Sequence, residues 1–108
     1  MDQADSKLTR LCGQSEIPAG GVKRINVDGM PPLAVFNLDG AIFVTDDICT
    51  HGYASLSEGV IDGDVVECPL HGGCFEIRTG APVSFPVVQA IHTYAARIID
   101  GDIFIDPA

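Results

Sequence analysis

Apolar and polar residues alternate in short runs along this chain, and glycine, proline or charged residues interrupt the runs. The clearest examples are "LAVFNL" from Leu33 to Leu38, "AIFVT" from Ala41 and "DIFID" from Asp102. Such alternation over four to eight residues is typical of strands with one buried face. No window of a dozen residues keeps a helical period without Gly or Pro. The pattern therefore predicts an all-β protein of short strands.

The dipeptide Asp-Gly punctuates these runs at positions 28–29, 39–40, 62–63 and 100–101. Asp-Gly tolerates the positive φ angles of a type I′ turn, so between two strand-like runs it indicates a β-hairpin. Strand-like residues follow the last three pairs, and the run "VKRINV" precedes the first. We expect hairpins at these three sites and a further strand within "VKRINV".

The segment from about residue 46 to 81 differs from the rest because it is rich in loops and glycine. We interpret it as a ligand-bearing lobe inserted on an antiparallel β-sandwich base. A chain of 108 residues suits one compact domain, and no linker or low-complexity tract divides it. The prediction is a single domain over residues 1–108.

Charge and hydropathy narrow the possible partners. Fifteen acidic residues against six basic ones give a formal charge of −9, which argues against nucleic acid as a partner. The same charge favours transient partners with basic docking surfaces, although a charged surface also serves plain solubility. No apolar run reaches the length of a membrane span, and "MDQADSK" lacks the apolar region of a secretory signal. We expect a cytoplasmic protein.

Two short pieces, "CTHG" at 49–52 and "CPLHG" at 68–72, each combine a cysteine with a histidine. Thiolate and imidazole are ligands for zinc, copper and iron–sulfur clusters, and two of each could hold one tetrahedral zinc. The usual zinc-finger order places both cysteines before both histidines, whereas here each cysteine precedes its own histidine. Two metal ions bridged by sulfide suit this order better, with one cysteine and one histidine from each loop.

The four residues Cys49, His51, Cys68 and His71 resemble the Rieske motif, in which two histidines replace two cysteines on one iron of a 2Fe–2S cluster. Sixteen residues separate the halves, and a glycine follows each histidine. Beyond the motif, "LAVFNLDGAIFVTDDICTHG", "SEGVIDGDVVECPLHGG" and "FEIRTG" resemble the Rieske-type ferredoxins of multicomponent aromatic-ring dioxygenase systems. The resemblance extends over nearly the whole chain.

This resemblance implies the Rieske fold, one 2Fe–2S cluster bound by Cys49, His51, Cys68 and His71, and a monomer without catalytic activity of its own. Such ferredoxins carry single electrons from a flavin-dependent reductase to a terminal Rieske oxygenase. The loop that shields the cluster in this family maps to Phe85-Pro86. High-potential relatives have two further cysteines and hydroxyl groups near the cluster. Here Leu70 and Tyr53 or its neighbours stand at those cysteine positions, so we expect a potential at the low end of roughly −150 to +300 mV.

The remaining candidates have more ordinary interpretations. We expect Cys12 and Cys74 to be packed thiols, neither joined in a disulfide nor bound to the metal, although Cys74 lies only three residues after His71. His92 is interpreted as a surface or half-buried residue. The acidic residues of the lobe either steer docking or are simply solvated; they are Asp46, Asp47, Glu58, Asp62, Asp64 and Glu67.

Two other function classes stay open at this point. One is the Rieske-like small subunit of a nitrite-reductase-type enzyme, which often lacks the ligands that this chain keeps. The other is a zinc-stabilised binding domain. The visible spectrum separates the last from an iron–sulfur protein, because a zinc protein is colourless.

Overall fold

The computed structural model describes residues 8–50, 54–70, 72–84 and 89–106. Within these ranges the only helices are two single 3-10 turns, Gln14–Glu16 and Leu56–Glu58, and no helix is long and apolar enough to cross a membrane. The strands are β1 (Thr9–Gly13), β2 (Val22–Ile25), β3 (Leu33–Leu38), β4 (Ala41–Asp46), β5 (Val60–Asp62), β6 (Val65–Glu67), β7 (Cys74–Glu76), β8 (Pro82–Ser84), β9 (Thr93–Tyr94), β10 (Ala96–Ile99) and β11 (Asp102–Ile105). The all-β prediction is confirmed.

Two antiparallel sheets form the base of the molecule. One has the strand order β1-β11-β10 and the other β2-β3-β4-β9. Apolar side chains from both sheets meet in a shared core, where Leu33 and Val35 of β3 pack with Ile103 and Ile105 of β11. All four residues are fully buried. The base is therefore the expected antiparallel sandwich.

Strand β3 is buried on both faces, which simple alternation does not predict. Leu33 and Val35 face the core of the base, while Ala34 and Phe36 belong to a second core. That second core lies between β3 and the lobe. The largest side chain that the lobe contributes to it is Phe75 of β7. All six residues of β3 are buried as a result.

Two of the predicted hairpins have the expected turns. Asp39 and Gly40, with φ of 54° and 94°, join β3 to β4, and Asp100 and Gly101, with φ of 51° and 81°, join β10 to β11. Positive φ at both central residues is the property of the type I′ turn, and it matches the right-handed twist of the strands. The sequence interpretation of these two sites is confirmed.

Neither of the other two Asp-Gly pairs forms a type I′ turn, and of these two a hairpin is predicted only at Asp62-Gly63. Asp62 pairs with Val65 across the β5–β6 hairpin, so the turn residues are Gly63 and Asp64, one position later than predicted. Gly63 has φ of 60°, whereas Asp64 is not among the residues with positive φ, as in a type II′ turn with glycine first. The remaining pair, Asp28-Gly29, lies in the connection between β2 and β3, which is longer than a two-residue turn. Gly29 has φ of 80° there.

The third sheet, with the order β5-β6-β7-β8, carries the lobe. It runs from Val60 to Ser84, so its last strand lies beyond residue 81. Gly59 immediately precedes this sheet and lies against the backbone carbonyl of Glu67 so closely that any Cβ atom would overlap it. The absence of a side chain at Gly59 thus allows the 3-10 turn at Leu56–Glu58 to pack beside β6, directly before Cys68.

Candidate metal centre

Two loops of the same construction carry the predicted ligands. The Cys49 amide donates a hydrogen bond to the carbonyl of Ala54 at 2.9 Å, and the Cys68 amide donates one to the carbonyl of Gly73 at 2.7 Å. In each case the bond spans five residues and lies at the end of an antiparallel pair. The pairs are Ile48 with Ser55 in the first loop and Glu67 with Cys74 in the second. We call residues 49–54 the first loop and residues 68–73 the second loop.

The two cysteine side chains converge in the interior of the protein. Cys49 is 3% exposed and Cys68 is fully buried, and both belong to the core between β3 and the lobe. Burial, together with a hydrogen bond between the two thiols, raises the pKa of Cys68 to about 11. A buried thiol with so high a pKa stays protonated unless a cation offsets the charge of its thiolate, as a bound metal does. The pair therefore fits a thiolate-bound metal group.

The backbone near Cys68 is already arranged to stabilise a thiolate. The Leu70 amide donates a hydrogen bond to Sγ of Cys68 at 3.4 Å, and this bond opposes the rise in the pKa of Cys68. Amide donors to a ligand sulfur stabilise its negative charge and influence the potential of a metal bound there. Leu70 itself is 37% exposed, so the second loop reaches the surface one residue before position 71.

The two predicted histidine ligands, His51 and His71, lie outside the described residues, as do Tyr53 and the predicted shielding loop at Phe85-Pro86. By sequence, position 51 falls within the first loop and position 71 within the second. Among the residues that the structure does describe, no three His, Cys, Asp or Glu side chains form a group that could hold a metal ion. The four-ligand set thus stays a prediction, although its two cysteines lie together.

One acidic residue of the lobe fits neither interpretation from sequence. Asp47 is fully buried, so it neither steers a partner nor stands in solvent. Its Oδ1 accepts a hydrogen bond from the Ser57 amide at 2.8 Å, and its Oδ2 lies 3.7 Å from Nε of Arg24 on β2. These two contacts offset part of the cost of burying the charge. Arg24 was not singled out from the sequence, because nothing local links it to residues 47–57.

The surrounding acidic residues are more ordinary. Glu58, Asp62, Asp64 and Glu67 are exposed. Asp46 is half-buried and accepts a hydrogen bond from the Tyr94 hydroxyl at 2.6 Å, and burial and this contact raise the pKa of Tyr94. The exposed members of the group are available to a partner.

The cysteines and the histidine outside the motif lie where the sequence suggested. Cys12 is buried in the core of the base, and no disulfide joins it to Cys74. Cys74 is half-buried, and its thiol donates a hydrogen bond to the carbonyl of Gly72 at 3.6 Å. His92 is exposed, with its ring edge-on to Tyr94 at 4.5 Å between centroids.

Replacing Cys12 or Cys74 by serine is expected to leave the visible absorption of the metal centre intact, because neither residue fits the ligand pattern. Cys12→Ser should still cost about 1–3 kcal/mol of unfolding free energy, since it places a hydroxyl in an apolar core. Iron content and the visible spectrum of each variant are the measurements. Loss of the metal in Cys74→Ser, together with its retention in His71→Ala, would assign the fourth ligand to Cys74.

Comparison with known proteins matches a family to a range of residues that includes both loops. The family "Rieske [2Fe-2S] domain" matches residues 7–95. The chain is 44% identical over 100 residues to the biphenyl dioxygenase ferredoxin subunit of Pseudomonas sp. strain KKS102, covering 92% of this chain and 91% of that protein. Its fold matches the Sphingomonas yanoikuyae B1 ferredoxin with a TM-score of 0.90 and 46% identity, over 93% of this chain and 98% of that one.

A second solved structure shows a similar protein together with a partner. It is described as the complex of reduced oxygenase and oxidized ferredoxin in carbazole 1,9a-dioxygenase. One of its chains matches with a TM-score of 0.89 and 39% identity, and the match covers 94% of each chain.

Proposed function

The chain belongs to the Rieske [2Fe-2S] family, and we propose that it is a one-electron carrier whose cluster is bound by Cys49, His51, Cys68 and His71. The observation that carries this ligand set is the convergence of the two buried thiols from two loops of the same construction. When bound, the [2Fe-2S] cluster takes up and releases one electron. The assignment of the two histidines as ligands rests on the sequence motif.

The protein's own residues would hold this group in a fixed, largely dry position. Cys49 and Cys68 supply thiolates from the core, so water has little access to the sulfur side of the site. The amide hydrogen bonds that close the two loops hold each cysteine backbone to its own loop. The Leu70 amide faces Sγ of Cys68 and stabilises the negative charge there. A centre held in this way changes its redox state with little movement of the protein.

The proposed partners are a flavin-dependent reductase as electron donor and a terminal Rieske oxygenase as electron acceptor. Support comes from relatives named as dioxygenase ferredoxin subunits and from the solved oxygenase–ferredoxin complex. The ferredoxin role assigns no catalytic residue to this chain. We further propose that the protein works as a monomer in the cytoplasm, between partners that it meets only transiently.

Electron transfer from the reductase should slow as ionic strength rises. The chain carries a formal charge of −9, so basic docking surfaces would attract it, and salt screens that attraction. Redox interfaces of this kind are small, below about 1,200 Å² in total, so steering contributes strongly to their rates. The measurement is the stopped-flow rate of cluster reduction by the reductase from low to moderate salt. A rate independent of salt would exclude electrostatic docking.

A matched pair of variants locates the docking side in the same experiment. Glu67→Gln removes one exposed charge beside Cys68, and Asp100→Asn removes one exposed charge at the β10–β11 turn of the base. If the partner approaches the cluster side, Glu67→Gln should slow the reaction several-fold at low salt, which is the size of effect expected for one exposed charge. Asp100→Asn should change the rate little. Equal effects of the two variants would contradict docking at the cluster side.

A further inference from the structure

Asp47 is the only fully buried carboxylate among the residues that the structure describes. It lies two residues before Cys49, so the Cα atoms of the two residues are at most about 7 Å apart. A buried charge is costly and is seldom kept where an uncharged residue could make the same contacts. The position of Asp47 beside a redox centre suggests a role for its charge.

The contacts of Asp47 connect the first loop to the base. Its amide donates to the Pro32 carbonyl at 2.8 Å, and its carbonyl accepts from the Leu56 amide at 2.7 Å. In the side chain, Oδ1 accepts a hydrogen bond from the Ser57 amide. Oδ2 accepts no hydrogen bond and lies 3.7 Å from Nε of Arg24. Backbone and side-chain contacts therefore fix Asp47 two residues before the first loop.

Arg24 completes the connection from the other side. Its Nη1 donates a hydrogen bond to the Ser55 hydroxyl at 3.2 Å, and Ser55 pairs with Ile48 where the first loop closes. The Arg24 side chain is 44% exposed, whereas that of Asp47 is 0% exposed. Water therefore screens the positive charge of the pair more than the negative one. The field of the pair at the first loop is dominated by the carboxylate.

We propose that the Arg24–Asp47 ion pair adjusts the reduction potential of the cluster, with Asp47 lowering it and Arg24 raising it. The electron added on reduction is repelled by the buried carboxylate, and Arg24 offsets part of that repulsion. A buried charge acts appreciably on a centre bound nearby, because the effective dielectric constant inside a protein is well below that of water. Both residues act through the field and through the position of the first loop; neither is a ligand. The proposal rests on the proposed function through Cys49 as a ligand.

The test is an optical redox titration of variants that remove one charge at a time. Asp47→Asn keeps an acceptor for the Ser57 amide and should raise the midpoint potential. Arg24→Gln leaves the carboxylate without its counter-charge and should lower the potential. Each variant should change the ratio of reduced to oxidised protein at a fixed ambient potential about tenfold, which is about 59 mV for a one-electron couple.

Two controls separate charge from structure. Arg24→Lys keeps the charge and should leave the potential close to that of the wild type. Lys23→Gln deletes the same charge one residue earlier on β2, where the side chain pairs with Glu16 at 2.7 Å, and should also change the potential little. A purely structural role would move the potential in the same direction in Asp47→Asn and Arg24→Gln, or would lower only the thermal stability.

Opposite shifts in Asp47→Asn and Arg24→Gln support the proposal, and shifts of the same sign or no shifts overturn it. If Asp47→Asn fails to assemble a cluster, Arg24→Gln decides alone, and an unchanged or raised potential overturns the proposal. A wild-type protein without an iron–sulfide chromophore would refute the proposed function and this inference together. A wild-type protein that titrates as a Rieske centre, with variants whose potentials do not shift in opposite directions, refutes this inference alone.

Discussion

Cys68→Ala is expected to abolish binding of the cluster. Cys68 is fully buried and lies against Cys49, so no water or neighbouring surface group can replace its sulfur at that position. With three ligands left, one iron loses its hold on the protein, and the cluster should not survive purification. The measurement is iron and acid-labile sulfide per chain, with two of each expected in the wild type, as in a [2Fe-2S] centre, and almost none in the variant.

Cys74→Ala is the matched control for this experiment. It removes a thiol six residues further along the chain, at the start of β7, where the thiol contacts the Gly72 carbonyl and lies outside the ligand motif. This variant should keep the cluster, and the far-UV circular dichroism of both variants should show the same strand content. Stoichiometric zinc without labile sulfide in the wild-type protein would instead support a zinc-stabilised domain.

Local backbone chemistry made much of the fold predictable. The turns at Asp39-Gly40 and Asp100-Gly101 are specified by residues that tolerate positive φ, and no distant contact is needed to choose them. The shift of one residue at Gly63 has a different origin. The cross-strand pairing of Ile61 with Val66 buries Val66 in the core of the lobe, and this register places Gly63 first in the turn. Tertiary packing decided between two turns that the local sequence allows equally.

Features that depend on contacts between distant segments were not visible in the sequence. Burial of β3 on both faces requires the lobe to cover Ala34 and Phe36, and their alternation with Leu33 and Val35 does not reveal a second layer. The lobe was recognised by its composition, whereas its packing on β3 was not.

At the metal centre, too, some features are predictable from local sequence and others depend on distant contacts. The motif identified Cys49 and Cys68, and the structure brings both into one core. The sequence places Asp47 among the solvated or docking acids because it is one of six acidic residues in the lobe. Its ion pair with Arg24 joins residues 23 positions apart, on different strands and loops, so only the folded chain shows it. Ligand identity is a local pattern, while the electrostatic surroundings of the ligands are not.

His71→Cys tests whether ligand charge sets the potential of the centre. With two ferric ions, two sulfides, two thiolates and neutral histidines, the oxidised cluster has no net charge. A third thiolate adds about one negative charge, so accepting an electron becomes harder and the potential should fall. Rieske centres lie at roughly −150 to +300 mV and plant-type four-cysteine centres near −400 mV, so one exchanged ligand should lower the potential by on the order of 100 mV or more.

The measurement for His71→Cys is an optical redox titration beside the wild type, with iron and sulfide content checked first. Electron transfer through the variant should slow as well, because a reductase matched to the native potential would have less driving force. An intact cluster whose potential equals or exceeds that of the wild type would show that ligand charge is not the main determinant. The candidates would then be the Arg24–Asp47 ion pair and the Leu70 amide, which donates a hydrogen bond to Sγ of Cys68 at 3.4 Å. Hydrogen bonds to the sulfurs stabilise added negative charge without changing the charge of any ligand.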